Sequence, residues 1–171
     1  MNPMKTIHIE KLTLNIGTGG TGEKLEKAVK LLATISGAKP VKTSSTKRIP
    51  TWGVRPNLAI AAKVTLRGTR AQELLKRLLQ AVDNILAERK FDSSGNFSFG
   101  IDEYIKIPDV PYDITIGIIG LEVAVTLQRG GFRIKRRSSK TANIPTRHRI
   151  TKQEAITFTQ ATFGTKIGET A

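Results

Sequence analysis

The chain has 171 residues, 28 Lys and Arg against 14 Asp and Glu, a net charge of +14 and no cysteine. The missing thiol excludes a disulfide scaffold, a cysteine zinc site and a thiol nucleophile, and two His are too few for a His-built metal cage. A hydrophobic content of 39% is too high for a wholly disordered chain, and the length fits one domain.

From the N-terminus, Leu12, Leu14 and Ile16 alternate with Lys11, Thr13 and Asn15, the mark of a strand with one apolar and one polar face. The glycine-rich Gly17 to Gly22 follows. Leu25, Ala28, Val29, Leu32 and Ile35 then recur at helical spacing, and Gly37 stops the helix. Pro40 opens a polar, strand-like run (VKTSSTKR), and Ile49 to Asn57 is a Pro/Gly loop. Ile60, Ala62, Val64 and Leu66 predict a second half-buried strand. Thr69 with Gln72 reads as a capping box for a helix whose stripe is Leu74, Leu75, Leu78, Leu79, Val82 and Ile85.

After a turn at Asp92 to Gly95, Phe97, Phe99 and Ile101 alternate. Residues 102–120, broken by two prolines, fit loop, strand or a helical turn. Leu121, Val123, Val125 and Leu127 form a strand, and Phe132 with Ile134 suggests a return strand after the Arg129 to Gly131 turn. Residues 136–149 hold little that is apolar and read as a basic excursion ordered by a partner. Thr151 with Glu154 is a second capping box, opening a short helix that includes Ile156. Together these elements predict an α+β, two-layer sandwich. One mainly antiparallel sheet carries helices on one face, and the other face is left open for a partner. The chain is read as a single domain, 1–171, with a basic loop at 46–58 and a basic excursion at 129–150.

Charge is concentrated. Lys39 to Arg70 contains eight basic residues and no acid, and Arg129 to Lys152 contains nine and no acid. These 17 charges exceed the net +14, so the rest of the chain carries −3. Like charges repel, and a polyanion would neutralise them with release of counterions, so nucleic acid is the expected partner. An ordinary solvated basic surface is the dull alternative. The longest apolar stretch, Ile114 to Leu121, is far short of the roughly 20 residues of a membrane span, and MNPMKTIHIEK lacks the apolar segment of a signal peptide. A cytoplasmic protein without a membrane partner is expected.

On the polar face of the strands, Lys11, Thr13, Asn15, Lys63, Thr65 and Arg67 offer groups for phosphate, sugar and base edges. Trp52, the only tryptophan, lies in the loop with Lys47, Arg48 and Arg55, where an exposed ring would stack on a base or anchor the loop. Gly17, Gly19 and Gly22 match G-x-G-x-x-G between strand and helix, which raises a dinucleotide-dependent enzyme. No Asp or Glu occurs between Glu26 and Glu73 to hold a ribose, and a plain strand-to-helix connector is the default. Asp102, Glu103, Asp109 and Asp113 are scattered and read as solvated. A duplex-DNA regulator would need a helix lined with base-reading side chains, and neither amphipathic helix has one. No catalytic residues, metal, cofactor or small-molecule substrate are expected.

Five segments, in order, resemble one family: LNIGTG (Leu14 to Gly19), SGAKPVKTSSTK (Ser36 to Lys47), GNFSFGIDEYI (Gly95 to Ile105), YDITIGIIGLEV (Tyr112 to Val123) and HRITKQEA (His148 to Ala155). This is the L-five family of ribosomal proteins, and the long basic stretch from Arg129 is similar to its archaeal and eukaryotic branch; the short tails suggest the archaeal type. The resemblance implies a structural protein of the large subunit's central protuberance that binds 5S rRNA and large-subunit rRNA. It also implies a loop, Thr46 to Leu58, near P-site tRNA, and a bridge to a small-subunit head protein. The family's sheet-face Asn and Thr carry over to Asn15 and Thr65, and its turn residues to Gly37 and Pro40. Ala38 stands where bacterial members commonly have Gln. With this expectation the 5S rRNA contacts would be Lys11, Thr13, Asn15, Lys42, Lys63, Thr65 and Arg67. The tRNA-proximal loop would present Lys47, Arg48, Trp52 and Arg55. Other rRNA phosphates would be met by Arg129, Arg133, Lys135, Arg136, Arg137, Lys140, Arg147, His148 and Arg149.

Overall fold

Leu12, Leu14 and Ile16 are at most 2% exposed in the computed structural model, which describes residues 2–168. Their strand, β1 (Ile7–Gly17), is the middle of a five-stranded antiparallel sheet. The other strands are β2 (Val41–Ser44), β3 (Ala59–Leu66), β5 (Phe97–Ile101) and β6 (Leu121–Arg129), in the order β2-β3-β1-β6-β5. A separate parallel pair joins β4 (Ile85–Leu86) to β7 (Lys166–Ile167).

The alternation of apolar residues turns one sheet face inward, where two helices cover it. Helix α1 (Glu23–Ser36) buries Leu25, Ala28, Leu31, Leu32 and Ile35; Val29, on the predicted stripe, is only half-buried. Helix α2 (Thr69–Gln80) buries Ala71, Leu74, Leu75, Leu78 and Leu79. Helix α3 (Lys152–Phe163) adds Ala155 and Ile156 to the same core. Each fully buried Leu or Ile contributes about 1.5–3 kcal/mol relative to exposure. The architecture is the expected two-layer α+β sandwich.

Several local expectations differ. The start of α2 is not a capping box: Gly68 is the N-cap, with φ 69°, and Thr69 is already inside the helix. That helix ends at Gln80. Asp83 and Asn84, both at positive φ, turn the chain, and Ile85 moves to β4 with its side chain 39% exposed. The return strand after Arg129 does not form; Phe132–Lys135 is a 3-10 turn. The capping box opening α3 is present, Thr151 and Glu154 bonding reciprocally. The ambiguous segment 102–120 is mostly loop, with a 3-10 turn at Tyr104–Lys106. Tyr104 is fully buried there, and its hydroxyl accepts from the Asp113 backbone N–H at 3.0 Å.

The glycine-rich connector is no dinucleotide-binding unit. That unit needs β1 and the next strand to run parallel around their helix. Here β1 has only antiparallel neighbours, β3 and β6, and β2 lies beyond β3. Among the described residues no helix is long and apolar enough to cross a membrane, and no group of three or more His, Asp or Glu is placed to hold a metal ion.

Candidate nucleic-acid interface

Residues directly opposite each other in a ladder share a face, so the register fixes what the open side presents. One row crosses all five strands: Val41, Lys63, Asn15, Glu122, Gly100. The next crosses four: Thr65, Thr13, Ala124, Ser98. Lys11 lies opposite Thr126, and Ala61 opposite Thr43. Lys63, Thr65, Glu122, Ala124, Ser98 and Gly100 are exposed, and Lys11, Thr13 and Asn15 half-buried. Small side chains dominate, so a partner's backbone can approach closely while Lys63, Asn15 and the threonines supply polar contacts.

The sheet thus brings together Lys11, Thr13, Asn15, Lys63 and Thr65. Arg67, exposed, follows the last residue of β3. Lys42 does not join them: it is opposite Ala62, which faces the core, so it lies on the helix side of the edge strand. The reason is phase, since Val41 and Thr43 take the open face. Glu122, Thr126 and Gln128 were missed, although the alternation that places Lys11 outward applies equally to β6. Glu122 accepts a hydrogen bond from the Asn15 amide at 3.1 Å.

The basic loop is a folded hairpin extension. Ile49 and Val54 exchange backbone hydrogen bonds at 2.9 and 3.1 Å around a 3-10 turn, Pro50–Trp52, and Val54 is buried. At the tip Trp52 is 74% exposed, and Lys47, Arg48 and Arg55 are exposed on either arm.

The basic excursion is folded back on the body, with Ile144 and Ile150 buried. Its cations divide into two sets. Arg129 is not available to phosphate. It continues the inward phase of β6, is 6% exposed, and donates to Glu154 at 2.6 Å and to the carbonyls of His148 and Arg149. His148 also turns inward, with Nε2 2.8 Å from the Gly130 carbonyl oxygen and its ring edge-on to Phe132. Arg136 is committed to Glu10 and Gln128. Hence the segment's charges do have internal counterparts at these points, supplied by acids distant in sequence. Arg133, Lys135, Arg137, Lys140, Arg147 and Arg149 are exposed. Arg137 Nε donates to the Lys140 carbonyl and Arg149 Nε to that of Ile144, which braces the segment.

Three carboxyls are shifted by such contacts, and Glu23 is held below its ordinary value by the hydrogen bond from Lys27. Hydrogen bonding from Lys30, then from Thr115, lowers the Asp113 pKa from 3.8 to about 2. The Thr151 backbone N–H chiefly, helped by Arg129 and opposed by burial, holds Glu154 below its ordinary value.

A sequence model described as ribosomal protein L5 matches residues 2–55, and one for the C-terminus of the same ribosomal family matches residues 59–158. The large ribosomal subunit protein uL5 of Nanoarchaeum equitans is 49% identical over 167 residues, covering 97% of this chain and 98% of its own length. That of Sulfurisphaera tokodaii is 47% identical over 170 residues, covering 99% and 96%. The open polar sheet face, the exposed cations and these full-length matches agree: the chain belongs to the ribosomal protein L5 family, in its archaeal form, and is a structural, non-enzymatic protein of the ribosome.

Proposed function

We propose that the chain is a structural constituent of the large ribosomal subunit that holds 5S rRNA on its open sheet face. The observation that carries this reading is the pair of cross-strand rows centred on Asn15 and Thr13, polar and small-sided, while the opposite face is filled by α1 and α2. An open polar sheet suits RNA, whose sugars and unpaired bases are read by hydrogen bonds at close range. The exposed cations of the excursion, Arg133, Lys135, Arg137, Lys140, Arg147 and Arg149, are the contacts for large-subunit rRNA phosphates. The hairpin carrying Lys47, Arg48, Trp52 and Arg55 reaches P-site tRNA. A head protein of the small subunit docks on the exposed apolar residues of the 105–118 loop, where Tyr112, Ile114 and Ile118 are 54%, 83% and 65% exposed.

Filter binding to 5S rRNA, against an unrelated structured RNA of equal length over a salt series, tests the reading. Preference for 5S rRNA is expected, weakened by Thr65→Ala and Asn15→Ala. Trp52→Ala should leave it unchanged; a loss above about 2 kcal/mol, the scale of one stacked base, would move the hairpin onto 5S rRNA. Equal affinity of the wild type for both RNAs would overturn the function.

A further inference from the structure

At the centre of the face proposed for a polyanion sits an acid. Glu122 is exposed, flanks Asn15 in the five-strand row, and has no Lys, Arg or His nitrogen within 4 Å among the described residues. Lys63 flanks the same asparagine on its other side, two strand spacings or roughly 10 Å away from Glu122. A solvated carboxylate there would weaken binding to any phosphate chain.

The hydrogen bond from Asn15 Nδ2 to Glu122 Oε2 settles which way the amide points. A carboxylate only accepts, so the NH2 group must face it, and Asn15 Oδ1 is held on the other side. The pair therefore offers two acceptors, Asn15 Oδ1 and Glu122 Oε1, beside one remaining amide N–H. Phosphate oxygens, themselves acceptors, cannot bind the two oxygens, and the carboxylate charge repels them from the N–H next to it. The groups of RNA that can bind those oxygens are hydrogen-bond donors: exocyclic base amines, the ring N–H of unpaired guanine and uracil, and ribose 2′-hydroxyls.

We propose that Glu122 is a specificity-determining residue of the RNA face: with the Asn15 amide it fixes, it accepts hydrogen bonds from a donor edge of the RNA and excludes phosphate from the middle of the sheet. Lys63 and Lys11 meet the backbone around it. The proposal rests on the RNA-binding reading of this face. Repulsion of the wrong group and attraction of the right one together set the specificity.

Glu122→Gln keeps the shape and removes one acceptor and the charge. If electrostatics alone mattered, every RNA would bind this variant more tightly. The expected result is a loss of about tenfold or more for 5S rRNA, the scale of one hydrogen bond to a charged group, with affinity for unrelated RNA unchanged or increased. The urea midpoint should match that of the wild type. Equal or tighter binding to 5S rRNA would overturn the proposal. A wild type that fails to prefer 5S rRNA would instead overturn the reading beneath it. Transcripts lacking one donor class at a time identify the source: inosine and then 1-methylguanosine for guanosine, purine riboside for adenosine, zebularine for cytidine, 3-methyluridine for uridine, and 2′-fluoro sugars. On the transcript that lacks the contacted donor, wild type and variant should bind alike. A tenfold gap persisting on every one of these transcripts would also overturn the proposal.

Discussion

Arg129 and Glu154 form an ion pair at 2.6 Å in which the cation is almost wholly buried and the carboxylate is 43% exposed. One carboxylate serves two elements. Its Oε1 takes the guanidinium, and its Oε2 takes the backbone N–H of Thr151, closing the cap of α3. The guanidinium in turn holds the carbonyls of His148 and Arg149. The end of β6, the return of the basic excursion and the start of α3 are joined at one point.

Replacing Arg129 by Met roughly keeps the volume but takes the guanidinium away from two carbonyls and from Oε1 of Glu154. Breaking a buried pair costs about 3–5 kcal/mol, and the half-exposed Glu154 puts this site at about 3. Urea unfolding measures it. A loss below about 1 kcal/mol would mean that the pair does not hold the excursion.

Acid sensitivity follows from the same carboxylate. Glu154 has a lowered pKa when folded and titrates near its ordinary 4.5 when unfolded. As pH falls, the unfolded chain takes the proton first, so stability drops from about pH 4.5 downward until the folded carboxyl protonates too. Asp113, at about 2 against an ordinary 3.8, adds the same sign in a lower window. The urea midpoint should therefore be insensitive to these groups above about pH 6 and decline below about pH 4.5. Glu154→Gln should flatten the upper part of that decline. A curve for Glu154→Gln parallel to that of the wild type would show that this carboxylate is not responsible.

Gly95 ends the Asp92 turn at φ 77°, and a Cβ there would lie 2.5 Å from Cγ2 of Ile150. Gly95→Ala meets both backbone strain and overpacking and should cost about 2 kcal/mol or more. Ile150→Ala removes the clashing methyl. In a double-mutant cycle the alanine at 95 should cost less once Ile150 is truncated, and strict additivity would contradict the contact.

Replacing the excursion's basic side chains by glutamine one at a time should separate the two sets. Arg133→Gln, Lys135→Gln and Arg147→Gln should each flatten the log–log salt dependence of rRNA binding by about 0.7–0.9. His148→Gln, whose ring faces Gly130, should leave the slope unchanged. Equal slopes for all four variants and the wild type would remove this segment from the RNA interface.

Most of the sheet was legible because alternation is a local signal. Leu12, Leu14 and Ile16, Val64 and Leu66, and Val123 and Val125 each announce their face with their neighbours alone, and Asn15 and Thr65 follow by phase. What misled was the reading of charge as exposure. Arg129 sits on the inward phase of β6, but its acid, Glu154, is 25 positions away, and Arg136 finds Glu10 at a distance of 126. Composition windows do not register such partners. Lys42 failed for a subtler reason: whether a short polar strand shows its odd or even residues depends on ladder register, which four residues without an apolar rhythm cannot declare. The end of α2 was equally hidden, because Val82 and Ile85 extend the helical spacing while the left-handed Asp83 and Asn84 break it.

The register between β1 and β6 slips once, between Ile9 and Lys11, so that Glu10 is a supernumerary residue. Its side chain, 13% exposed, is the one that grasps Arg136. A chain shortened by this single glutamate would regain an unbroken inward–outward rhythm from Ile7 to Ile16, and its sheet would be more regular. It would also lose the tether that ties the excursion to the central strand. The irregularity is therefore an anchor point, a stitch added to the fabric so that a cationic arm hangs from it at a set angle.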